Sequence, residues 1–132
     1  MTTSAAADPG SATQDRPAIR FDIVALDTDD ITGLAEFYCN LLGWRIEDAD
    51  DSWITIGRGA GARMAFQLAP DHQRPTWPEP GVPQQCHLDF RVSDMEVAAA
   101  FAESIGARRV DTQQTFTVLL DPSGHPFCLC LD

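Results

Sequence analysis

The chain has 132 residues, 44% of them hydrophobic and 22% charged, and twenty acidic residues against nine basic ones give a net charge of −11. This length can bury one sizeable core, or two small modules that share one. The negative charge argues against nucleic acid or an anionic membrane as a partner. No run approaches the ~18 apolar residues of a membrane span. The N-terminus lacks the basic-then-apolar order of a signal peptide. We therefore expect a cytoplasmic protein whose four cysteines are reduced: Cys39, Cys86, Cys128 and Cys130.

Residues 1–18 are mostly small and polar and show no periodicity, which predicts a disordered tail. A first module is predicted over residues 19–69. Its expected elements are a strand at Arg20–Asp27, a helix from Asp29 or Asp30 to Leu42, and strands at Trp44–Glu47, Ser52–Gly57 and Arg63–Leu68. The acidic residue before the helix is a suitable N-cap, and Gly43 can supply its left-handed end.

A linker is predicted at residues 70–84, which carry five prolines. The same order of elements then returns over residues 85–132. The expected elements are a strand at Cys86–Val92, a helix at Met95–Ile105, and strands at Arg108–Asp111, Thr115–Leu120 and Pro126–Leu131. Within the second helix, Val97, Phe101 and Ile105 recur at helical spacing and are predicted to form its apolar face. A doubled strand-helix-strand-strand-strand unit indicates a repeat at module scale.

The strand at Cys86–Val92 alternates apolar and polar residues, which is typical of a strand with one face in a core. Its apolar side chains would face the helix. On the opposite face, Cys128 and Cys130 from the last strand would join His87, Asp89 and Arg91. The sequence thus predicts a polar sheet face that contains a histidine.

Two motifs carry a resemblance that covers about residues 20–132. They are Phe37-Tyr38 followed by Leu42-Gly43-Trp44, and the closing stretch from Asp121 to Phe127, Asp-Pro-Ser-Gly-His-Pro-Phe. With the doubled module, they resemble the vicinal oxygen chelate superfamily, which includes glyoxalase I, bleomycin-resistance and extradiol dioxygenase proteins. Among its members the chain is most similar to small glyoxalase-like proteins. The resemblance implies an α+β fold in which two βαβββ modules form a cup-shaped mixed β-sheet, with the helices on the outer face. It also implies a homodimer that encloses a small-molecule ligand.

Enzymes of this superfamily usually hold one divalent metal ion through the first and last strands of each module. The matching positions here are Ile23, Gln67, His87 and Cys128. Ile23 cannot bind a metal, Gln67 is a weak ligand, and Cys128 is a soft donor where a carboxylate is expected. A divalent metal is therefore possible on His87, Gln67 and Cys128, but the resemblance favours a protein without a metal or other cofactor.

Six residues are predicted to contact a ligand: His87, Asp89, Arg91, Gln67, Cys128 and Trp77. For His87, the alternatives are a metal ligand, a general base, or a side chain hydrogen-bonded to Asp89, a carbonyl or water. Arg91 could hold a carboxylate or phosphate of a ligand, or form an ordinary ion pair. Cys128 and Cys130 could bind a soft metal with His87. The expectation, however, is that they act as small apolar side chains that line a pocket or core.

The stretch Asp121–Gly124 is predicted to be a tight turn, because proline stands at its second position and glycine at its fourth. Three functions stay open at this point. The favoured one is binding of a small, partly apolar organic molecule. The second is a metal-dependent lyase, isomerase or dioxygenase with a non-standard ligand set. The third is a regulatory or partner-binding module without enzymatic activity.

Overall fold

The computed structural model describes residues 16–132. The predicted disordered tail lies outside the described residues except for residues 16–18, which belong to neither a helix nor a strand. Two βαβββ modules follow. The first consists of β1 (Val24–Thr28), α1 (Ile31–Leu42), β2 (Arg45–Ala49), β3 (Trp53–Gly57) and β4 (Met64–Leu68). The second consists of β5 (Leu88–Val92), α2 (Met95–Ser104), β6 (Arg108–Thr112), β7 (Phe116–Leu120) and β8 (Pro126–Leu131).

Each module forms one four-stranded mixed sheet, with strand orders β1-β4-β3-β2 and β5-β8-β7-β6. In both sheets the first strand is parallel to the last, and the remaining pairs are antiparallel. The predicted α+β fold of two βαβββ modules is therefore confirmed. Neither helix in residues 16–132 has the length and apolar character needed to cross a bilayer.

The helix boundaries follow from their capping residues. The Asp30 carboxylate accepts a hydrogen bond from the Gly33 backbone N–H at 3.0 Å, and Gly43 ends α1 in the left-handed conformation with φ of 71°. Asp94 caps α2 in the same way by accepting from the Val97 backbone N–H at 3.1 Å. The first strand, β1, is shorter at its N-terminal end than the prediction of Arg20–Asp27. It begins at Val24 because its partner β4 begins opposite, at Met64.

The predicted apolar face of α2 is wrong in two of its three residues. Val97 and Phe101 are 66% and 45% exposed, whereas Ala99 and Ala102 are completely buried. Ile105 is half-buried and packs against the core as predicted. Alanine has no side chain beyond Cβ, so a helix can lie close to a sheet on an alanine face, and the larger side chains then point outward.

Both modules contribute to one hydrophobic core, which is centred on α1. The Tyr38 ring lies 5.6 Å from the Phe66 ring of the first sheet, and 6.3 Å from the Phe90 and Phe127 rings of the second, measured between centroids. The core-facing side of the first sheet packs against α1 and that of the second against α2, and Tyr38 of α1 also lies beside the second sheet. The other side of each sheet, its polar face, is turned away from the core and is not covered by either helix.

Candidate functional site

The polar face of the second sheet carries a cavity of about 340 Å³, which we call the polar-face cavity. Its position follows from strand register, because Asp89 pairs with Cys128 and Arg91 with Cys130 across the parallel strands β5 and β8. Paired residues of neighbouring strands point to the same side of a sheet. The cavity is lined by His87, Asp89, Arg91, Thr115, Phe116, Cys128, Cys130 and Leu131.

Three potential metal ligands come together in this cavity. One donor atom each from His87, Asp89 and Cys128 lies within 4.8 Å of the others. The His87 Nε2 atom is 3.4 Å from Asp89 Oδ1, which is long for a hydrogen bond. The side chains of His87 and Asp89 are 50% and 58% exposed, so the cavity is open to solvent.

The Cys128 thiol is a poor nucleophile in this environment. Partial burial, the negative charge of Asp89, the neighbouring Cys130 and a hydrogen bond with the Asp89 carboxylate raise its pKa to about 11. Burial and a nearby anion both disfavour the thiolate. Since the thiolate is the form that attacks electrophiles and binds metal ions, Cys128 needs a cation or a strong base to become reactive.

Arg91 supplies the positive charge that lines this cavity. Its Nη1 atom donates a hydrogen bond to the Leu131 carbonyl oxygen at 3.1 Å, which holds the guanidinium beside the sheet. The remaining N–H groups of the guanidinium have no hydrogen-bond partner among residues 16–132. A planar group with several free donors suits a carboxylate or phosphate.

The structure does not bring all six predicted site residues together. His87, Asp89, Arg91 and Cys128 line the polar-face cavity. Gln67 lies on the first sheet, paired with Asp27 and Trp53. Trp77 lies in the linker and lines neither the polar-face cavity nor the cavity described next. Since Ile23 also belongs to the first module, the four positions that match the superfamily's metal ligands are divided between the two modules.

A second cavity, of about 360 Å³, lies where the linker meets both modules, and we call it the joint cavity. Sequence reasoning missed it because its parts are far apart in the chain. The missed residues include His72 and His125, whose ring centroids lie 5.1 Å apart. A signal was present in the sequence, since His125 directly follows the predicted turn.

The turn at Asp121–Gly124 is confirmed by the hydrogen bond from the Gly124 backbone N–H to the Asp121 carbonyl oxygen at 2.9 Å. It also joins the modules, because the buried Asp121 carboxylate accepts a hydrogen bond of 2.7 Å from the Tyr38 hydroxyl. Desolvation raises the pKa of Asp121, although Tyr38, His125 and two backbone N–H groups favour its charged form. Ser123 adds a second buried contact, 2.7 Å from the Thr28 hydroxyl.

Two βαβββ modules, each with a parallel first and last strand and a polar face free of helices, define the class of this protein. It has the fold of the vicinal oxygen chelate superfamily. Residues 23–130 match the model of the glyoxalase-like domain, so the chain belongs to the glyoxalase-like domain family. No curated protein matches the chain at a significant level of sequence similarity.

Solved structures share the fold at low sequence identity. A glyoxalase/bleomycin resistance protein/dioxygenase family enzyme from Burkholderia phytofirmans PsJN is 16% identical, with a TM-score of 0.67 over 83% of this chain and 96% of that one. A glyoxalase-related enzyme from Fulvimarina pelagi is 15% identical, with a TM-score of 0.67 over 86% and 88% of the two chains. The bleomycin resistance determinant encoded on transposon Tn5 is 19% identical, with a TM-score of 0.58 over 86% and 98%. At these identities the likeness shows the fold.

Proposed function

We propose that the chain binds a small, partly apolar organic acid in the polar-face cavity, and that it does so without a catalytic metal. The observation that carries this proposal is the pairing of Arg91 with an apolar wall in one open cavity of about 340 Å³. Phe116 and Leu131 supply that wall. The volume lies in the range of about 300–1,000 Å³ that is usual for small-molecule sites. The shared fold of the Tn5 bleomycin resistance determinant supports a binding role by analogy.

The donor set supports a site that works without a metal. Ile23 stands at one of the four matching positions, and Gln67 lies on the other sheet. Cys128 has a pKa of about 11, so a metal would have to displace its proton at neutral pH. Ile23 and Gln67, two of the four matching positions, thus offer no metal ligand near His87 of the same chain.

Calorimetric titration of the full chain with benzoate and its alkyl-substituted relatives tests this proposal. We expect one saturable site per chain, and Arg91→Gln should weaken binding about tenfold because a charge-assisted contact is lost. Arg58→Gln is the matched control, since it removes the same charge from an exposed loop. Equal affinity in wild type, Arg91→Gln and Arg58→Gln would contradict the assignment of Arg91.

A metal-dependent lyase, isomerase or dioxygenase is the second candidate, and the cluster of His87, Asp89 and Cys128 within 4.8 Å favours it. Histidine, carboxylate and thiolate fit a zinc-type ion, which keeps a fourth position open in catalytic sites. Such an ion, when bound, supplies Lewis-acid polarisation of a substrate carbonyl. Cys128 would release its thiol proton to ligate. Proton release during zinc titration, lost in Cys128→Ser, would therefore support this candidate.

A regulatory or partner-binding module is the third candidate. It is disfavoured by the open polar-face cavity, because a module that only binds protein partners needs no such volume. Ligand binding in the calorimetric titration separates it from the first proposal.

A cytoplasmic location stays a prediction, which is supported by the four free cysteines of the described chain: Cys39, Cys86, Cys128 and Cys130.

We also propose that the protein is a homodimer. Ile19 and Phe21 are 80% and 84% exposed just before β1, and a second copy could cover them. A second copy could also bring Gln67 of its first sheet against the polar-face cavity. Light scattering should give the dimer mass for the full chain and a larger monomer fraction for Phe21→Ser. A monomer mass at a concentration of about 100 µM would contradict the dimer.

A further inference from the structure

The joint cavity is separate from the polar-face cavity and has a different chemistry. It is lined by Ala25, Leu26, Asp27, His72, Gln73, Pro75, Val82, Pro83, Gln85, Cys86 and His125. At about 360 Å³, its volume suits a small organic molecule. Residues of β1, the linker and the turn before β8 contribute to it, so it exists only when both modules are in place.

The linker forms an ordered wall of this cavity. The Thr76 backbone N–H donates to the Val82 carbonyl oxygen at 2.8 Å, and the Val82 N–H donates to Thr76 Oγ1 at 2.8 Å. These two bonds close a compact loop. Pro75 is buried beside it, and Arg74 donates to the Pro122 carbonyl oxygen. The wall is therefore tied to the Asp121–His125 turn on the opposite side.

Hydrogen bonds define the tautomers of the two histidines. The His125 Nε2 atom lies 2.7 Å from the Asp27 carbonyl oxygen, and the His72 Nε2 atom lies 3.1 Å from the Ser123 carbonyl oxygen. A carbonyl oxygen only accepts, so in each neutral ring the hydrogen is on Nε2. Each ring is left with Nδ1 as an acceptor, and Nδ1 has no hydrogen-bond partner among residues 16–132.

The charges around the cavity are negative. Its lining contains Asp27, an exposed acidic residue, and no lysine or arginine. Burial and the charge of the Asp121 carboxylate raise the pKa of the Cys86 thiol, so the field of Asp121 reaches the cavity. Arg74, a cation of the linker, is directed to the Pro122 carbonyl oxygen. The one charged residue of the lining is thus an acid, and the uncharged polar groups are the glutamine amides, the Cys86 thiol and the imidazoles, framed by proline, valine and alanine side chains.

We propose that the joint cavity binds a small organic ammonium ion with an apolar body. The Asp27 carboxylate pairs with the charge, and the Nδ1 atoms of His72 and His125 accept hydrogen bonds from the ammonium group. Val82 and the prolines contact the apolar part. This site complements the polar-face cavity, in which Arg91 selects the opposite charge.

Three probes of one shape and different charge test the assignment: benzylammonium, benzyl alcohol and benzoate. In ¹⁵N-resolved NMR titrations of the full chain, benzylammonium should shift the amides of Asp27, His72 and Cys86 in a saturable way. Benzyl alcohol should bind the joint cavity at least about fivefold more weakly, because it lacks the charge. Benzoate should leave these amides unshifted.

Asp27→Asn should weaken benzylammonium binding about fivefold, which is the loss of one partly solvated charge pair. Asp51→Asn is the matched control, since it makes the same change in net charge at an exposed turn and should leave the affinity unchanged. An equal response of the joint-cavity amides to benzoate would overturn the proposal. So would unchanged affinity in Asp27→Asn, or the absence of saturable benzylammonium binding.

Discussion

At the scale of single residues, partial burial and the neighbouring Asp89 carboxylate set the pKa of the Cys128 thiol. This carboxylate is close to both His87 and Cys128, and it disfavours the Cys128 thiolate by charge and by hydrogen bonding. An anion beside a thiol raises the pKa of the thiol. Partial burial and Asp89 together therefore raise the pKa of the Cys128 thiol further above physiological pH.

This makes the reactivity of Cys128 steeply dependent on pH. With a pKa of about 11, the thiolate fraction and the alkylation rate should rise about tenfold per pH unit between pH 7 and 10. In Asp89→Asn the pKa should fall, so alkylation at pH 8 should be several-fold faster. Iodoacetamide labelling read by peptide mass spectrometry measures the rate. A rate that levels off near pH 8 in the wild type would contradict the raised pKa.

Tyr38 and Asp121 form the buried hydrogen bond that joins the modules, at 2.7 Å. Tyr38→Phe removes one of the donors that favour the Asp121 carboxylate, so its already raised pKa should rise further. A carboxyl group whose pKa is raised by folding costs stability as pH increases through that pKa. We expect a loss of about 1.5–3 kcal/mol at pH 7, and a smaller loss once Asp121 is protonated. Urea unfolding at several pH values tests this expectation, and an equal loss at all of them would contradict it.

At the scale of elements, most of the architecture could be predicted from local sequence. Asp30, Gly43 and Asp94 mark helix ends by their own backbone and side-chain chemistry, and all three have these roles in the structure. Strand faces followed from alternation in β5. The apolar face of α2 could not be predicted in this way, because hydrophobicity ranks valine and phenylalanine above alanine. The close approach of α2 to the sheet favours small side chains at the buried positions, whatever their hydrophobicity.

This difference within α2 gives a direct test. Ala102 is fully buried, so Ala102→Leu should cost about 1–3 kcal/mol by overpacking. Val97 is 66% exposed, so Val97→Ser should change the free energy of unfolding by less than about 0.5 kcal/mol. Chemical denaturation of both variants measures the two values. A larger loss for Val97→Ser than for Ala102→Leu would contradict the orientation of the helix.

At the scale of the whole molecule, the arrangement of the two sheets could not be predicted from the sequence. Alternation shows that His87 and Gln67 each lie on a polar strand face, but it does not show whether these faces meet. In the structure, α1 packs on the first sheet and α2 on the second, and the Tyr38 ring lies beside both Phe66 and Phe127. Gln67 of the first sheet is not among the residues that line the cavity containing His87.

The polar-face cavity is proposed to bind an acid without a metal ion, and native mass spectrometry of the full chain measures both properties at once. Protein purified without chelators should carry well under one divalent ion per chain, and it should take up one added benzoate-type acid per chain. Arg91→Gln should lose this adduct at the same ligand concentration, because the guanidinium is the cavity's cation. One tightly held divalent ion per chain, lost in Cys128→Ser, would contradict the proposed metal-free site.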